Sequence, residues 1–278
     1  MRALIVGGSG HLGSQLARCA RAAGHQVAVT YRTRPPRNPD TGAHQLDLRD
    51  QDQTTALIGR LKPELIINTA FQQDDWASSA VAPANLATAV ADRSSRSIRL
   101  VHVSSDAVFS GEDIHYDETA LPDPITPYGA AKAAAETAIA AICPTAVIAR
   151  TSLIIGHQST HERFVHALAT GRQDGTLFTD DYRCPVHVDD LAAALLELGA
   201  SIRSGIHHIA GAEAISRYQL GILIARRDGP PAEALRLGLR ADTKIPGPLD
   251  VRLDSTQTQQ VLRTRLRGAS EFLVPGRD

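Results

Sequence analysis

The sequence predicts an α/β fold whose mainly parallel sheet is covered by helices on both faces. Three observations support this prediction. Short apolar runs alternate with helical patterns up to about Gly156, the runs are continuously apolar as in strands buried on both faces, and a glycine-rich turn joins the first run to the first helix. With 278 residues and a hydrophobic content of 43%, the chain can bury a large core.

Each apolar run that ends at a glycine, proline or polar turn predicts a strand, and each longer amphipathic or alanine-rich segment predicts a helix. The predicted strands are Ala3–Val6, Gln26–Tyr31, His44–Leu48, Leu65–Thr69, Leu100–Ser104, Ala146–Arg150 and Gly205–Ile209. The predicted helices are Ser14–Ala23, Gln53–Leu61, Ala84–Ser94, Tyr128–Ile142, Phe164–Thr170, Val188–Leu198 and Tyr218–Arg226. We expect residues 1–156 to form the sheet domain and residues 157–278 a smaller lobe interleaved with the sheet.

Composition argues against several classes of function. The net charge of −1 does not favour nucleic acid or an anionic membrane as a partner. No apolar run approaches the roughly 18 residues that a membrane span needs, and the first residues lack the features of a signal peptide. The three cysteines, Cys19, Cys143 and Cys184, form no CxxC pair and no metal-ligand cluster with the histidines, so we expect a cytoplasmic protein without a metal site.

Residues 7–13 read Gly-Gly-Ser-Gly-His-Leu-Gly and lie between the first predicted strand and the first predicted helix. Glycine permits the tight turn and lets the backbone approach a pyrophosphate, whose oxygens can accept from the N–H groups at the start of the helix. This placement indicates a dinucleotide site on a Rossmann-type, doubly wound sheet, with Gly7, Gly10, His11, Leu12 and Gly13 around the phosphates. The alternative is a plain turn between a strand and a helix.

The end of the second strand indicates which dinucleotide binds. Sites for NAD usually carry Asp or Glu here for the ribose hydroxyls, whereas this chain has Arg32 and no carboxylate in residues 29–34. A guanidinium can pair with a 2′-phosphate through two hydrogen bonds, so NADP(H) is favoured over NAD(H). A solvated loop arginine is the alternative. Asp47 and Leu48, after the third strand, are expected to meet the adenine ring, with an ordinary strand-end carboxylate as the alternative for Asp47.

Tyr128 and Lys132 lie four residues apart, on one face of a predicted helix that begins after Pro127. Because the chain has only three lysines and five tyrosines, this spacing rarely arises by chance. A neighbouring ammonium and an oxidised nicotinamide both favour the phenolate, which lowers the tyrosine pKa from about 10 and suits proton transfer to an alkoxide. Lys132 can also bind the nicotinamide ribose, so both residues are candidates for cofactor contact as well as catalysis.

The preceding strand ends in Val103-Ser104-Ser105-Asp106, at the carboxyl end where ligands bind in open α/β sheets. A serine there can hydrogen-bond a substrate carbonyl and hold it against the tyrosine. Ser105 is the predicted catalytic serine, and Ser104 is the alternative. The chain contains neither a Gly-x-Ser-x-Gly nucleophile motif nor a His-Glu-x-x-His zinc motif.

These motifs resemble those of the extended short-chain dehydrogenases, and within them the dTDP-4-dehydrorhamnose reductase group. The resemblance covers nearly the whole chain and is carried by GGSGHLG at 7–13, LIINTAF at 65–71, VSSDAVFSGE at 103–112, PYGAAKAAAE at 127–136, ARTSLIIG at 149–156 and CPVHVDDLA at 184–192. It implies a catalytic set of Ser105, Tyr128 and Lys132, with cofactor contacts from Thr69 and Ala70. It also implies hydride transfer from NADPH to the C4 keto group of a dTDP-6-deoxy-hexulose.

Three features depart from the reductase pattern, all on or near the substrate side. The loop at 71–77 is shorter than usual, Ser79 stands where these enzymes often carry Asn, and Leu153 stands where they usually carry Trp. The identity of the sugar therefore stays open. The resemblance also puts Asp106 and Arg183 near the substrate, with an ion pair to a neighbouring aspartate as an equal alternative for Arg183.

We therefore expect an NADPH-dependent reductase of a keto group on a nucleotide-activated sugar. Two other classes share the motifs. One is an epimerase or dehydratase that retains NAD, against which Arg32 argues. The other is a non-catalytic NADP(H)-binding regulatory subunit, against which the intact Tyr128 and Lys132 argue. The resemblance also allows a homodimer.

Overall fold

Seven parallel strands form the central sheet of the computed structural model, which describes residues 1–36, 42–92 and 98–276. They are β1 (Arg2–Val6), β2 (Gln26–Tyr31), β3 (Ala43–Gln45), β4 (Leu65–Asn68), β5 (Arg99–Val103), β6 (Val147–Thr151) and β7 (Gly205–Ile209). Their spatial order is β7-β6-β5-β4-β1-β2-β3. Because the order reverses between β4 and β1, a ligand crevice is expected at the carboxyl ends of these two strands.

Helices cover both faces of the sheet. Those in the described residues are α1 (His11–Ala22), α2 (Gln51–Leu61), α3 (Ala82–Ala91), α4 (Pro127–Ile142), α5 (Thr160–Ala169), α6 (Val188–Gly199), α7 (Arg217–Asp228), α8 (Thr256–Val261) and α9 (Ala269–Phe272). Successive side chains of a strand point to opposite faces. Ala3 and Ile5 of β1 accordingly pack with α1 and α6, whereas Leu4 and Val6 pack with α2, α3 and α4. No helix in the described part of the chain has both the length and the apolar composition that a bilayer crossing requires.

The C-terminal half contributes to the central sheet and also forms an apolar cluster of its own. β7 pairs with β6, and α6 packs on α1. The separate cluster joins α5, α7 and α9 through side chains that include Val165, Ile224 and Phe272. Two-residue strands pair outside the main sheet: His115–Tyr116 with Arg252–Leu253, Ile154–Ile155 with Val186–His187, Leu177–Phe178 with Leu237–Gly238, and Tyr182–Arg183 with Ile215–Ser216.

The predicted fold class is confirmed, and the predicted elements differ from the observed ones mainly at their ends. α1 begins at His11 rather than Ser14 because Gly10, in extended backbone, precedes the helix directly. α3 ends at Ala91, and the predicted end of this helix at Ser94 lies outside the described residues.

A capping interaction moves the start of α5 from the predicted Phe164 to Thr160. The Ser159 side chain accepts from the Glu162 N–H, and the Glu162 carboxylate accepts from the Ser159 N–H at 2.7 Å. This reciprocal pair satisfies two N–H groups that the first turn leaves without helical partners. The apolar spacing used for the prediction begins one turn later, so it could not locate this start.

Candidate active site

The glycine turn connects β1 directly to α1. Gly10 N donates to Gly7 O at 2.9 Å, and Ser14 N donates to Gly10 O at 2.9 Å, so the turn closes on itself before the helix begins. A Cβ atom on Gly13 would lie 2.2 Å from Gly7 O, so glycine is required for α1 to approach the turn this closely. The result is a compact backbone cradle at a helix N-terminus, which is the arrangement that a pyrophosphate can use.

Gly13→Ala is expected to abolish measurable dinucleotide binding and to destabilise the fold. The added methyl group meets backbone that cannot move without opening the turn, and overpacking of this kind costs about 1–3 kcal/mol. The matched control is Ser14→Ala, at the next position and exposed on α1, which should change neither property. Fluorescence titration with NADPH and urea unfolding measure the two effects. An unchanged Kd in Gly13→Ala would contradict the assigned cradle.

A cavity of about 350 Å³ lies at the carboxyl ends of β1, β2, β3 and β4. Its lining includes seven of the predicted cofactor residues: Gly7, Gly10, Arg32, Asp47, Leu48, Thr69 and Ala70. Phe71 also lines the cavity, and its ring centroid lies 6.0 Å from that of Tyr128. Phe71, which was not predicted as a site residue, therefore links the cavity to the candidate catalytic tyrosine.

The other three residues predicted to surround the phosphates lie at the start of α1. Leu12 is buried in the apolar core, so only its backbone can face a ligand. Gly13 packs on the turn. His11 is half-buried, and burial lowers its pKa. Its Nε2 has no hydrogen-bond partner among the described residues. Across residues 1–36, 42–92 and 98–276, no three His, Cys, Asp or Glu side chains are grouped so that they could hold a metal ion.

Arg32 lies in the cavity wall and is held by side chains of the segment after β4. Its Nη1 donates to Ser78 Oγ at 2.9 Å and lies 3.5 Å from the Asp75 carboxylate, and its Nη2 donates to Gln72 Oε1. The side chain remains 37% exposed and lines the cavity. Arg34 lines the same cavity. The arrangement presents positive charge at the end of β2, where a 2′-phosphate can accept hydrogen bonds.

Asp47 and Leu48 lie beyond the end of β3, which is shorter than predicted. The Asp47 carboxylate accepts from the Arg49 N–H at 3.0 Å and from Arg49 Nη2 at 2.6 Å. The chain turns to make these bonds, so the strand ends at Gln45. Hydrogen bonding to Arg49 holds the pKa of Asp47 below its usual range. The structure thus places Asp47 in the cavity wall and also in the ion pair expected of an ordinary strand-end carboxylate.

Close packing of α4 brings Tyr128 to the end of β5. The Thr126 side chain caps the helix by accepting from the Gly129 N–H at 3.0 Å. A Cβ atom on Gly129 would lie 2.0 Å from Ala107 O, so a glycine is needed where the helix meets the turn after β5. The Ser105 side chain lies close enough to the Tyr128 hydroxyl to affect its pKa. The predicted serine and tyrosine are therefore neighbours at the end of β5.

The two adjacent serines have different surroundings. Ser104 is 3% exposed, and its hydroxyl donates to the Glu136 carboxylate. That carboxylate also forms a buried ion pair with Arg150, with Oε2 and Nη2 2.8 Å apart. Ser104 is thus part of an internal network that joins α4 to β6. Of the two, Ser105 is the one outside this network, and its hydroxyl lies beside Asp106 at 3.2 Å.

The surroundings of Tyr128 raise its pKa above the ordinary value. Burial has the largest effect and the negative charge of Asp106 adds to it, while the hydrogen bond with Ser105 opposes both. Lys132 is not among the groups that shift the Tyr128 pKa, so the predicted lowering of this pKa by the lysine side chain is wrong. The Lys132 Nζ instead donates to Val103 O at 2.7 Å and lies 3.2 Å from His102 Nε2. Tyr128 is held as a neutral phenol, which is the protonation state of a proton donor.

Lys132 is buried one helical turn beyond Tyr128. Its side chain is 2% exposed. Burial lowers the pKa of the amine to about 8, and the negative charge of Glu136 opposes this shift. An amine with a pKa near physiological pH exists in both protonation states, so it can take part in proton transfer.

Asp106 and Arg183, the predicted substrate residues, are buried and close to each other. The Asp106 carboxylate accepts from Ser152 Oγ at 2.7 Å and from Ser105 Oγ at 3.2 Å, and lies 3.6 Å from Arg183 Nε. The Arg183 Nη1 lies 2.9 Å from Asp181 Oδ1, and both Nη atoms donate to backbone carbonyls. Asp106 therefore adjoins the candidate catalytic serine, whereas Arg183 makes the aspartate ion pair that was its alternative.

Arg217, at the start of α7, is a candidate site residue that sequence patterns did not reveal. Its Nε lies 3.5 Å from Asp181, which also pairs with Arg183 and Arg240, and its side chain is 25% exposed. Asp106 lies beside Arg183 and Asp180 beside Arg240, so three carboxylates face the three guanidinium groups. Arg217 is the most exposed of the three arginines, at 25% against 6% and 11%, so it is the one that an anionic ligand can reach. No motif or spacing in the sequence links Arg217 to the distant Asp181, so only the fold could identify this group.

The sequence pattern of the RmlD substrate binding domain matches residues 1–271. The chain belongs to this family. The chain is 31% identical over 264 residues to the probable low-salt glycan biosynthesis reductase Agl14 of Haloferax volcanii. This alignment covers 88% of the chain and 86% of the Haloferax protein.

Two solved structures show how far the likeness extends. A hypothetical dTDP-4-dehydrorhamnose reductase from Sulfolobus tokodaii has a TM-score of 0.82 and 31% identity, covering 96% of this chain and 97% of that one. The dTDP-4-dehydrorhamnose reductase from Bacillus anthracis, solved with NADP, has a TM-score of 0.83 and 20% identity, and the alignment covers 98% of this chain and 96% of that one. Because the identity is so low, this second likeness concerns the fold alone. Together these relationships confirm the predicted resemblance and the enzyme class, an NAD(P)-dependent oxidoreductase.

Proposed function

We propose that this chain is an NADPH-dependent reductase of a keto group on a nucleotide-activated sugar, similar to the dTDP-4-dehydrorhamnose reductases. One observation carries the proposal: Tyr128 lies beside Ser105 at the end of β5, and Phe71 connects it to the cavity lined by the glycine turn. NADPH, when bound there, would supply a hydride to the carbonyl carbon. Tyr128 supplies the proton to the carbonyl oxygen, and Ser105 holds that oxygen by a hydrogen bond.

The cavity residues fit the cofactor. The turn at Gly7 and Gly10 is proposed to hold the pyrophosphate together with the N–H groups of His11, Leu12 and Gly13. These five residues lie at the start of α1 or in the turn before it. Asp47, Leu48, Thr69 and Ala70 all line the cavity wall. We assign Asp47 and Leu48 to the adenosine, and Thr69 and Ala70 to the part of the cofactor that crosses the end of the sheet. Tyr128 and Lys132 complete the site by contacting the nicotinamide ribose.

The substrate side is proposed to lie between the turn after β5 and the start of α7. Asp106 adjoins Ser105 and is the proposed contact for a sugar hydroxyl. The donors of Arg183 are occupied by Asp181 and backbone carbonyls, so we propose that it orients Asp106. Arg217 is the most exposed of the three arginines around Asp181. It is the proposed contact for the diphosphate of the nucleotide.

Arg32→Ala is expected to weaken NADPH binding by about 10- to 100-fold, since a hydrogen bond to a charged group contributes roughly 1.5–3 kcal/mol. NADH affinity should stay nearly unchanged, because NADH lacks the 2′-phosphate. The matched control is Arg226→Ala, exposed on α7 and absent from the cavity wall. Parallel titrations with NADPH and NADH measure the effect. Equal losses for both nucleotides would contradict the proposed preference for NADP(H).

The function itself is tested by NADPH consumption with a panel of nucleotide-activated keto sugars, including a dTDP-4-keto-6-deoxy-hexose. Turnover of at least one such sugar is expected, and none across the panel would contradict the proposal. Cofactor released on denaturation separates the alternatives. Tightly retained NAD at about one per chain would favour an epimerase or dehydratase. NADP(H) binding without turnover, combined with tight association to another enzyme, would favour a regulatory subunit.

A further inference from the structure

The Asp75 carboxylate lies between two guanidinium groups at the cavity on the carboxyl ends of the strands. Its Oδ2 is 3.3 Å from Arg49 Nη1 and 3.5 Å from Arg32 Nη1. Arg32 follows β2, Arg49 follows β3 and Asp75 follows β4. Because β1 lies between β4 and β2 in the sheet, the segment after β4 extends past the end of β1 to reach both arginines. One carboxylate therefore connects the ends of three strands.

Ser78 fixes the position of the Asp75 carboxylate. The Ser78 N–H donates to Asp75 Oδ1 at 3.1 Å, and the Ser78 hydroxyl donates to Asp75 Oδ2 at 2.6 Å. These hydrogen bonds hold the pKa of Asp75 below its usual range, so the carboxylate is charged at neutral pH. The same hydroxyl accepts from Arg32 Nη1 at 2.9 Å. Asp75 is therefore a negative charge with a defined place beside Arg32.

Both arginines line the cavity, whereas Asp75 is not among the described residues of the cavity wall. Asp47 holds the other side of Arg49, since its carboxylate accepts from Nε at 2.9 Å and from Nη2 at 2.6 Å. A guanidinium group has five N–H groups. Hydrogen bonds to described residues use two of them in Arg32 and three in Arg49. Each arginine therefore keeps N–H groups that these bonds do not use.

Two guanidinium groups repel each other unless an anion lies near both. A phosphate, with several acceptor oxygens, is the kind of ligand that two such groups can bind together. We propose that Asp75 is an internal counter-anion that holds Arg32 and Arg49 as a pair, and that both arginines bind the 2′-phosphate of NADP(H). Asp75 is then a positioning residue, and Arg49 is a second residue that determines cofactor specificity.

The charges of Arg49 and Asp75 should act on NADPH with opposite signs. The 2′-phosphate gains from the positive charge of Arg49. It also competes with the Asp75 carboxylate for the same two guanidinium groups, and the two anions repel each other. NADH carries a neutral 2′-hydroxyl, so neither charge should affect it strongly. A difference between the two nucleotides is therefore the signature of this pair, because a purely structural role would alter the binding of both.

This inference rests on the proposed preference for NADP(H), which Arg32→Ala tests separately. Equal losses for NADPH and NADH in Arg32→Ala would overturn both the preference and this inference. A loss confined to NADPH in that variant, without selective effects of Arg49 and Asp75, would overturn this inference alone. Nucleotide binding is measured without a sugar substrate, so the result is also independent of the reductase activity.

Arg49→Ala is expected to weaken NADPH binding by about 3- to 10-fold and to leave NADH binding nearly unchanged. The loss should be smaller than in Arg32→Ala, because Arg49 is more exposed, at 44% against 37%, and is shared with Asp47. Fluorescence titrations of the full chain with each nucleotide measure the effect. The matched control is Arg60→Ala, exposed on α2 and outside the described cavity wall. No loss, or an equal loss for both nucleotides, would overturn the role of Arg49.

Asp75→Asn is expected to strengthen NADPH binding by roughly 3- to 10-fold, with NADH again nearly unchanged. Asn has the same shape and can still accept from the Ser78 N–H, so the variant removes mainly the charge. The gain should shrink at high ionic strength, where charges near the surface are screened. Asp74→Asn, an exposed neighbour with the same change of charge, is the control and should alter neither affinity. Unchanged or weaker NADPH binding in Asp75→Asn would overturn the proposal that Asp75 shares these arginines with the phosphate.

Discussion

Tyr128→Phe is expected to lower kcat by about 10²–10⁴-fold, which is the range that general acid catalysis contributes. Removal of the hydroxyl takes away the proton donor, while the ring can still pack 6.0 Å from Phe71. NADPH affinity should fall far less than kcat, because one hydrogen bond to the ribose contributes only about 0.5–1.5 kcal/mol. Because burial and the Asp106 charge raise the Tyr128 pKa, the acid form persists well above neutral pH. The rate of reduction in the wild-type enzyme should accordingly not fall through deprotonation of this phenol near neutral pH.

Tyr218→Phe is the matched control for this experiment. Tyr218 packs against the C-terminal apolar cluster rather than at Ser105, so the same loss of a hydroxyl should leave kcat unchanged. Single-turnover reduction, followed by NADPH absorbance, separates the chemical step from product release. Full activity of Tyr128→Phe would contradict the assignment of the proton donor and, with it, the proposed mechanism.

The parts of the site that sequence patterns predicted are those set by local geometry. The glycine spacing at residues 7–13 predicted a turn that abuts a helix, and the observed approach of Gly13 to Gly7 is short-range along the chain. The four-residue spacing likewise put Tyr128 and Lys132 on one helical face. Adjacent residues at the end of β5 were harder to separate. Which serine faces the site depends on the helix that packs there, and the sequence left both Ser104 and Ser105 as candidates.

The parts that could not be predicted depend on contacts between distant segments. The direction of the Tyr128 pKa follows from burial and from Asp106, whereas the Tyr-x-x-x-Lys spacing alone suggested the opposite direction. Arg217 joins the site through an aspartate of another element. His102 had only one weak signal, a lone polar residue within an apolar strand. The Asn68 Nδ2 lies 3.0 Å from His102 Nδ1 because these two residues are paired across β4 and β5. Such relations appear only once the sheet order and register are known.

Glu136→Ala is expected to lower the free energy of unfolding by about 3–5 kcal/mol, which is typical when one partner of a buried ion pair is removed. Arg150 is 0% exposed and Glu136 is 4% exposed, so the variant leaves a buried guanidinium without its carboxylate. The Ser104 hydroxyl loses its acceptor at the same time. Urea unfolding should show a lower midpoint with an unchanged slope, because the same surface is exposed on unfolding.

The matched control for this prediction is Glu271→Ala, which removes one partner of a surface ion pair and a 3.3 Å hydrogen bond from the Gly268 N–H at the start of α9. Its partner Arg265 lies 2.7 Å away, but the two side chains are 41% and 73% exposed, so the expected loss is at most about 1 kcal/mol. A similar small loss for Glu136→Ala would show that the internal network does not hold α4 on β6. Since α4 carries both Tyr128 and Lys132, a large loss implies that this network also fixes the catalytic face against the end of β5.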